Sequence, residues 1–370
     1  MMLDRLDRPL RDLRISVTDR CNLRCRYCMP REVYGPGFAF MARAELLSFE
    51  EIARLARAFA RVGVRKVRLT GGEPLLRRDL EVLVAMLART EGIDEVAMTT
   101  NGVLLARRAR ALARAGLTRV TVSLDALDDA LLARIADAPL AARRVLDGID
   151  AAIDAGLEPV KVNMVVRRGV NERCVAQMAG RFRHSGAVLR FIEFMDVGST
   201  NGWRAQEVVT GDEIRAAVAS RWPLEALEPS IPGEVASRYR YRDGAGEIGV
   251  IHSVSNPFCA ACTRARLSAD GKLFTCLFAR RGVDLRALLR GGAGDEEIEL
   301  RLREVWGARA DRYSEERSRG RAGVGAGADD AGGDHAGGDH AGGDDADEQA
   351  GRARARRRRA PKIEMSYIGG

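Results

Sequence analysis

The sequence of 370 residues contains no run of 18 or more apolar residues, so it offers no segment suited to a membrane-spanning helix. Its first residues, MMLDRLDRPLRDLR, are charged where a secretory signal peptide would carry its apolar stretch. These two absences argue against an integral membrane protein and against a signal-bearing secreted protein. We therefore expect a cytoplasmic protein.

A general excess of one charge is also missing. The formal net charge is +8, but six arginines lie within residues 352–359, and the excess without them is modest. That run supports one alternative, a nucleic-acid-binding protein with structural zinc. The run lacks interleaved aromatic residues for stacking on bases, which favours a solvated tether of like charges.

Strand patterns alternate with amphipathic helical patterns between residues 13 and 197, at the spacing of roughly 25 to 35 residues that βα units require. The predicted strands are residues 13–18, 66–70, 95–99, 119–123, 160–166 and 189–193. The helical pattern is clearest in EEIARLARAFAR at residues 50–61. Six such units predict an α/β fold built on a partial (β/α)6 barrel, in which the carboxyl ends of the strands carry the chemistry.

The pattern changes after about residue 205, where short strands indicate a smaller α/β module. These strands are predicted at residues 238–241, 249–254 and 272–276. A later segment has low complexity (AGGDHAGGDHAGGDD, then the arginine run), and we expect disorder there. The predicted organisation is a barrel at residues 1–205, a second domain at 206–318, the low-complexity insert at 319–360 and a tail at 361–370.

Six of the seven cysteines form two close-spaced groups, which in a reducing compartment indicates metal ligands rather than disulfides. The seventh, Cys174, receives no role. The first group, Cys21, Cys25 and Cys28, supplies three thiolates in one loop after the first predicted strand. Three cysteines on a cubane iron–sulfur cluster leave one iron open for a substrate or cofactor. A zinc site with a distant fourth ligand is the alternative, because spacing alone does not identify the metal.

The second group again offers three thiolates and no nearby fourth cysteine. Its members are Cys259, Cys262 and Cys276. A second open cluster is one interpretation, and a zinc site of three cysteines and His252 is the other. The following arginines, Arg264 and Arg266, favour the first interpretation because guanidinium groups can bind phosphates bidentately.

The run CNLRCRYC, followed by Gly71-Gly72-Glu73-Pro74 after the second predicted strand, resembles the signature of radical S-adenosylmethionine enzymes. Within that superfamily the chain resembles the GTP-cyclising branch that opens molybdenum cofactor biosynthesis. The resemblance covers nearly the whole chain apart from the low-complexity insert. It is carried by RDLRISVTDRCNLRCRYCMP, RLTGGEPLLRRDL, TTNG, VSLDA, KVNMV, RFIEFMDVG, NPFCAACTRARLSADGKLFTCLF and a terminal Gly369-Gly370.

The resemblance implies two [4Fe–4S] clusters, one on each cysteine group, and S-adenosylmethionine bound to the open iron of the first. One-electron reduction would release a 5′-deoxyadenosyl radical, which takes the C3′ hydrogen of GTP. Attack of C3′ on guanine C8 would give (8S)-3′,8-cyclo-7,8-dihydroguanosine 5′-triphosphate, a lyase reaction. The auxiliary cluster's open iron is expected to bind the guanine base.

The resemblance also implies site residues. The expected contacts to S-adenosylmethionine are Tyr27, Gly72, Ser123 and Met195. The expected contacts to GTP are Arg14, Arg68, Thr99, Lys161, Arg264, Ala265 and Arg266. The catalytic assignments are Arg14 and the tail glycines Gly369 and Gly370, which are expected to reach the active site. GTP carries about four negative charges, which the cations of this set would offset.

The implied partners are GTP, a low-potential electron donor of flavodoxin or ferredoxin type, and cyclic pyranopterin monophosphate synthase as recipient of the product. Neither nucleic acid nor a membrane is expected as a partner, and monomer and homodimer both stay open. A rival within the superfamily is a radical enzyme that acts on a peptide or another metabolite. The arginines after Cys262 disfavour that rival, because a peptide substrate does not require such a concentration of cations.

Overall fold

Parallel strands and crossover helices alternate through the first half of the chain. The computed structural model describes residues 2–231, 233–322 and 362–368. Its first strands are β1 (Asp12–Ser16), β2 (Lys66–Thr70), β3 (Glu95–Thr100), β4 (Arg119–Ser123), β5 (Lys161–Val166) and β6 (Val188–Glu193). They pair in sequence order, all in parallel. The six predicted strands are confirmed, with ends that shift by no more than two residues.

Helices follow the strands as the periodicity predicts. They are α1 (Phe49–Arg61), α2 (Leu80–Ala88), α3 (Leu105–Arg114), α4 (Asp129–Ala136), α5 (Ala142–Asp154) and α6 (Val175–Phe182). The start of α1 is fixed by a capping box, in which Ser48 Oγ accepts from Glu51 N at 3.1 Å and Glu51 Oε2 accepts from Ser48 N at 2.7 Å. Such a cap contributes about 1 kcal/mol. The apolar side of α1, with Ile52, Leu55 and Phe59, is fully buried in the core.

The strands of the C-terminal half extend the same sheet at both edges. They are β7 (Leu224–Leu227), β8 (Ser237–Tyr241), β9 (Glu247–Ile251), β10 (Arg264–Leu267), β11 (Lys272–Phe274) and β12 (Val283–Asp284). In the twelve-stranded sheet, β10 pairs in parallel with β1, and β9 pairs in parallel with β6. The change of pattern near residue 205 therefore does not interrupt the sheet, and the second cysteine group is brought next to β1.

The remaining helices are α7 (Gly211–Ala219), α8 (Leu285–Arg290), α9 (Asp295–Gly307), α10 (Tyr313–Ala322) and α11 (Met365–Ile368). Short 3-10 helices occur at Pro74–Leu76, Glu172–Cys174, Ala205–Glu207 and Cys259–Ala261. The first four residues of the predicted insert belong to α10, and the rest of it lies outside the described residues. Within the described ranges, no helix is both long and apolar enough to cross a membrane.

The two faces of the sheet differ in polarity. In β1 and β2, Leu13, Ile15 and Val67 are fully buried and belong to the hydrophobic core. The intervening Arg14 and Arg68 lie on the opposite face and are partly buried. Strands of a parallel sheet covered on both faces usually read as near-continuous apolar runs. Cations at alternate positions therefore mark that opposite face as a site rather than as part of the core.

Candidate functional site

The first cysteine group lies on a loop that follows β1 and folds back on itself. Cys25 O accepts hydrogen bonds from Cys28 N and Met29 N, both at 2.9 Å. Arg24 fixes the start of the loop, because its Nη1 donates to Cys21 O at 2.8 Å. The loop that carries the three thiols is therefore held by its own backbone carbonyl groups.

Burial raises the pKa of Cys21 to about 11. Burial, followed by the charge of Cys21, raises the pKa of Cys28 to about 12. Burial and then Cys28 raise the pKa of Cys25 well above its ordinary value. Three partly buried thiols that repel one another as thiolates fit a cationic iron–sulfur centre, because bound metal supplies the charge that deprotonates them.

The GGEP segment after β2 packs directly on this loop. Gly72 N donates to Thr18 O and Glu73 N donates to Arg20 O, both at 2.8 Å. A Cβ atom at Gly72 would lie 2.3 Å from Arg20 O, and one at Gly71 would lie 2.6 Å from Thr18 O. The glycines are needed in part because the cysteine loop approaches so closely, a reason that the sequence alone does not reveal.

Glu73 connects the ends of β2 and β3 beneath the loop. Its carboxylate accepts from Thr100 Oγ1 at 2.7 Å, from Asn101 N at 2.8 Å and from Leu75 N at 3.0 Å. Burial outweighs these bonds and raises the pKa of Glu73 to about 7. Asn101 in turn donates to Asn22 Oδ1 at 2.9 Å, within the cysteine loop. Glu73 is thus a positioning residue for the loop.

Tyr27 connects the cysteine loop to the end of β4. Its hydroxyl donates to Asp125 Oδ2 at 2.7 Å, and Asp125 Oδ1 accepts from Val165 N at 2.9 Å. Burial raises the pKa of Asp125 to about 6. Ser123 is the last residue of β4, and Met195 follows β6, so the residues expected to contact S-adenosylmethionine all lie at carboxyl ends of strands or in the loops that follow. Asp125 was missed from the sequence, although it stands within VSLDA.

The second cysteine group lies beside β10. Cys262 N donates to Cys259 O at 3.2 Å, and Arg264 Nη2 lies 3.4 Å from Cys262 Sγ. Burial alone would raise the pKa of Cys262, but Arg264 and then Arg309 lower it to about 6. Burial raises the pKa of Cys276 to about 11, and Cys262 adds to that rise. Cys262 thus has thiolate character that Arg264 and Arg309 stabilise, as a metal ligand requires.

A buried ion-pair network holds the second group through its backbone. Asp4 Oδ2 accepts from Arg8 Nε at 2.7 Å and from Arg309 Nη1 at 3.0 Å. Arg8 Nη1 donates to Cys259 O, and Arg309 Nη1 donates to Cys262 O, both at 2.8 Å. The extreme N-terminal segment therefore positions the second cysteine group, a role that no local motif indicated.

The described residues do not group His252 with the second cysteine group. Within residues 2–231, 233–322 and 362–368, no three His, Cys, Asp or Glu side chains are arranged to hold one metal ion. His252 contacts other groups, with its Nδ1 3.4 Å from Ser255 Oγ and 3.8 Å from Glu193 Oε1.

The cationic residues occupy adjacent strands on one face of the sheet. Arg14 lies opposite Arg266 of β10 on one side and opposite Arg68 of β2 on the other. Ala265 lies opposite Leu13 and is buried, so its side chain is on the core face. The sheet thus brings together residues that are more than 250 positions apart in the chain.

Hydroxyl groups continue this face toward β5. Arg68 Nη1 donates to Thr121 Oγ1 at 3.1 Å and to Thr99 Oγ1 at 3.3 Å. Thr121 lies opposite Lys161. Arg190 of β6 donates through Nη2 to Thr121 Oγ1 at 3.5 Å. Arg190 was missed from the sequence, although it alternates with buried apolar residues in VLRFIE and opens the motif RFIEFMDVG that carries the resemblance.

The cations on this face depress one another's pKa values. Burial, followed by Arg266, Arg264 and Arg68, lowers the pKa of Arg14 well below its ordinary range. Burial and then Arg190 lower the pKa of Lys161 to about 7. Burial and then Arg264 lower the pKa of Arg266 to about 10. A bound polyanion would relieve this repulsion, so the face suits a ligand with several negative charges.

The described part of the tail lies against the loop after β6. Glu364 accepts from Ser199 N at 2.8 Å and from Thr200 Oγ1 at 2.9 Å. Tyr367 OH donates to Asp270 at 2.7 Å, and Ile368 is fully buried. The predicted tail residues Gly369 and Gly370 lie outside the described residues.

The sequence matches two families in succession along the chain. Residues 15–182 match the Radical SAM superfamily, and residues 187–315 match Molybdenum Cofactor Synthesis C. Together with the parallel sheet and the three-cysteine loop after its first strand, the first match defines a radical S-adenosylmethionine protein.

Whole-chain relatives narrow the class. The chain is 55% identical to GTP 3′,8-cyclase of Acidothermus cellulolyticus over 99% of its own length and 98% of the relative. It is 53% identical to GTP 3′,8-cyclase of Xanthomonas axonopodis pv. citri over 86% of its length and 94% of the relative. It is 48% identical to a Staphylococcus aureus GTP 3′,8-cyclase over 85% of its length and 93% of the relative. The chain belongs to the GTP 3′,8-cyclase family.

Solved structures share the fold at low sequence identity. Streptococcus suis SuiB, in crystals with its precursor peptide SuiA, has a TM-score of 0.57 and 15% identity, covering 84% of this chain and 67% of SuiB. SuiB bound to S-adenosylmethionine has a TM-score of 0.55 and 14% identity, covering 84% of this chain and 68% of SuiB. These similarities concern the fold alone.

Proposed function

We propose that the chain cyclises GTP to (8S)-3′,8-cyclo-7,8-dihydroguanosine 5′-triphosphate, the first step of molybdenum cofactor biosynthesis and a lyase reaction. The observation that carries the proposal is the position of Arg266. Arg266 lies opposite Arg14 on one side and, on the other side, opposite Phe274, which is two residues before Cys276. A polyanionic nucleotide on the cationic face would therefore reach the second cysteine group.

Two [4Fe–4S] clusters fit the two cysteine groups. Cys21, Cys25 and Cys28 would hold the cluster that binds S-adenosylmethionine. When bound, that cofactor supplies the 5′-deoxyadenosyl radical that takes the C3′ hydrogen of GTP. Tyr27, Gly72, Ser123 and Met195 would contact the cofactor. The auxiliary cluster would be held by Cys259, Cys262 and Cys276.

The chain's own contribution to the reaction is to bind and orient the nucleotide. The proposed GTP contacts are Arg14, Arg68, Thr99, Lys161, Arg190, Arg264, Ala265 and Arg266. Because Ala265 has its side chain on the core face, its contribution would come from the backbone. Cations on neighbouring strands of one rigid sheet fix the triphosphate, and fixed geometry is what confines a reactive radical to one hydrogen. Arg14, at the centre of the cationic row, retains its proposed catalytic role.

The organisation of the chain follows the same proposal. Strands β1 to β6 would curve as a partial barrel over residues 1–205, with the auxiliary module at 206–318. Tail residues Gly369 and Gly370 would enter the site beyond the buried Ile368. All seven cysteines are free thiols, which suits a reducing cytoplasm. The product would pass to cyclic pyranopterin monophosphate synthase.

The test is an anaerobic assay of the reconstituted full-length protein with dithionite, S-adenosylmethionine and GTP. About eight irons per chain, 5′-deoxyadenosine and a cyclised nucleotide are the expected results. Deletion of Gly369 and Gly370 should lower formation of the cyclised nucleotide. If 5′-deoxyadenosine formed without consumption of GTP, the substrate would instead be a peptide or another metabolite. Zinc in place of iron would overturn both the GTP-cyclising and the peptide-modifying radical hypotheses.

A further inference from the structure

A groove of about 650 Å³ opens beside the first cysteine loop. Its lining includes Cys21, Arg20, Arg24, Arg31, Phe38 and Phe40. The cationic face of the sheet does not contribute to this lining, so the groove is a surface feature separate from the proposed nucleotide site. Apart from Cys21, a proposed cluster ligand, the proposed reaction gives the residues of this lining no role.

The groove has the composition of a protein-binding surface. Its lining contains three arginines and one acidic residue, Asp137, which pairs with Arg31 at 2.8 Å. Phe38 is 38% exposed, and Val33 in the same loop is 42% exposed. Aromatic residues and arginine are enriched where proteins bind one another. Apolar side chains ringed by an excess of cations suit a partner with acidic groups around an apolar centre.

Guanidinium–ring contacts and hydrogen bonds also connect the groove to the first cysteine group. The guanidinium groups of Arg20 and Arg24 each lie 5.6 Å from the centre of the Phe40 ring. The same Arg24 donates to Cys21 O at 2.8 Å and, through Nε, to Tyr34 O at 2.7 Å. A partner seated on this surface would therefore stand next to the cluster-binding loop.

We propose that this groove is the docking surface for a small acidic electron-transfer protein of the flavodoxin or ferredoxin class. The inference rests on the proposed function, because it needs an iron–sulfur cluster at Cys21, Cys25 and Cys28. One electron leaves the reduced partner and enters that cluster, and no atom or proton is exchanged between the two proteins. The arginines attract the acidic partner, and the exposed aromatic side chains exclude water from the contact.

A second, larger cleft of about 970 Å³ offers a direct comparison. It also contains arginines, among them Arg43 and Arg78, and the exposed apolar residues Leu76 and Val82. The residues that line it include no cysteine. If charge and apolar exposure alone determined where the electron-transfer protein docks, the larger cleft would be as suitable as the first groove. The first groove is favoured because its lining includes the proposed cluster ligand Cys21.

The experiment measures binding of oxidised flavodoxin to the cluster-loaded, full-length protein by calorimetry at low and at high ionic strength. We expect Arg31→Glu to weaken binding about tenfold at low salt, with a smaller effect at high salt, because rim charges act through screened attraction. Phe38→Ala should weaken binding several-fold at both salt concentrations. The Arg43→Glu/Arg78→Glu double variant tests the larger cleft, and Arg221→Glu/Arg242→Glu, at the opposite ends of the strands, is the distant charge control.

A second readout separates this inference from the proposed function. With dithionite as reductant, Arg31→Glu and Phe38→Ala should form 5′-deoxyadenosine at the wild-type rate, whereas oxidation of flavodoxin hydroquinone should slow in both. Normal flavodoxin binding by both variants, or weakened binding only in Arg43→Glu/Arg78→Glu, would overturn the docking surface. Loss of product formation with dithionite in the wild type would instead contradict the proposed function.

Discussion

The ammonium group of Lys362 donates a 2.7 Å hydrogen bond to Oδ2 of Asp196, which joins the carboxyl-terminal segment to the loop after β6. The same carboxylate accepts from Tyr313 OH at 2.8 Å and pairs closely with Arg317, both in α10. Residues from both sides of the segment 323–361 thus meet at one acidic side chain. Asp196 immediately follows Met195, a proposed contact to S-adenosylmethionine.

Replacing Asp196 with Asn should loosen the tail. Burial alone would raise the pKa of Asp196, but the hydrogen bond from Lys362 and the charge of Arg317 hold it below its ordinary value. The resulting stabilisation is present above the unfolded-state pKa of about 3.9 and is lost as pH falls through the lower folded-state value. At neutral pH, Asp196→Asn should cost about 1–3 kcal/mol of tail docking.

Hydrogen exchange of residues 362–368 measures this effect directly. Exchange should accelerate in Asp196→Asn and stay at the wild-type rate in Asp212→Asn, a control at a side chain that is 82% exposed. Unchanged exchange in Asp196→Asn would show that Glu364 and Tyr367 hold the tail without it.

The sequence predicted the individual strands of the site better than the contacts between residues that are distant in the chain. The βα periodicity located the six strands β1 to β6, because each strand carries its own local signal of β-branched residues and turn residues. The placement of β10 against β1 was not predictable in this way, since pairing between residues more than 250 positions apart depends on tertiary packing. The pairing of Arg14 with Arg266, the network around Asp4 and the contact of Asp196 with Lys362 all depend on such packing. Asp125 and Arg190 were within reach of sequence reasoning, because each stands in a motif already singled out.

Arg14→Met should weaken GTP binding without weakening the fold. Arg14 stands between Arg266 and Arg68, and their mutual repulsion lowers its pKa. Loss of one charge-assisted hydrogen bond of about 1.5–3 kcal/mol corresponds to roughly 10- to 100-fold in affinity. Because the variant also removes a repulsive charge, the Tm of the nucleotide-free protein should not fall.

Calorimetry with GTP and thermal unfolding without it are the two measurements for Arg14→Met. Arg242→Met, at an exposed arginine in the turn between β8 and β9, should leave both quantities unchanged. A lower Tm with unaltered GTP affinity would assign Arg14 to stability instead of binding.

Cys262 should be more reactive than Cys21 and Cys276 in the iron-free protein at pH 7. Arg264 and Arg309 lower its pKa to about 6 despite burial, whereas burial raises those of Cys21 and Cys276 to about 11. Alkylation depends on the thiolate, so Cys262 should react ahead of these two, with a rate that rises through about pH 6. Mass spectrometry of the iodoacetamide-treated protein identifies the order.

Arg264→Met is the matched variant for this reactivity. Loss of the guanidinium should raise the pKa of Cys262 and slow its alkylation at pH 7, with no change at Cys21. Equal reactivity in the wild type and the variant would mean that access, and not charge, controls this thiol. Since cluster assembly needs thiolates, the same variant should also load the auxiliary cluster more slowly.

GTP binding should take up a proton at Lys161. Burial, followed by Arg190 and Arg119, lowers the pKa of Lys161 to about 7, so the charged form is present below that pH and is lost above it. A bound triphosphate favours the ammonium form, so the affinity contributed by Lys161 should fall about fivefold between pH 7 and pH 8.

Calorimetry in buffers of different ionisation enthalpy counts the protons that Lys161 takes up when GTP binds. Lys161→Met should bind more weakly at pH 7 and lose this uptake, while titration of the GTP phosphates themselves is common to both proteins. If Lys161→Met took up as many protons as the wild type, the proton would belong to another group and Lys161 would not be part of the nucleotide site. The cations that hold the triphosphate would then be Arg14, Arg68 and Arg266.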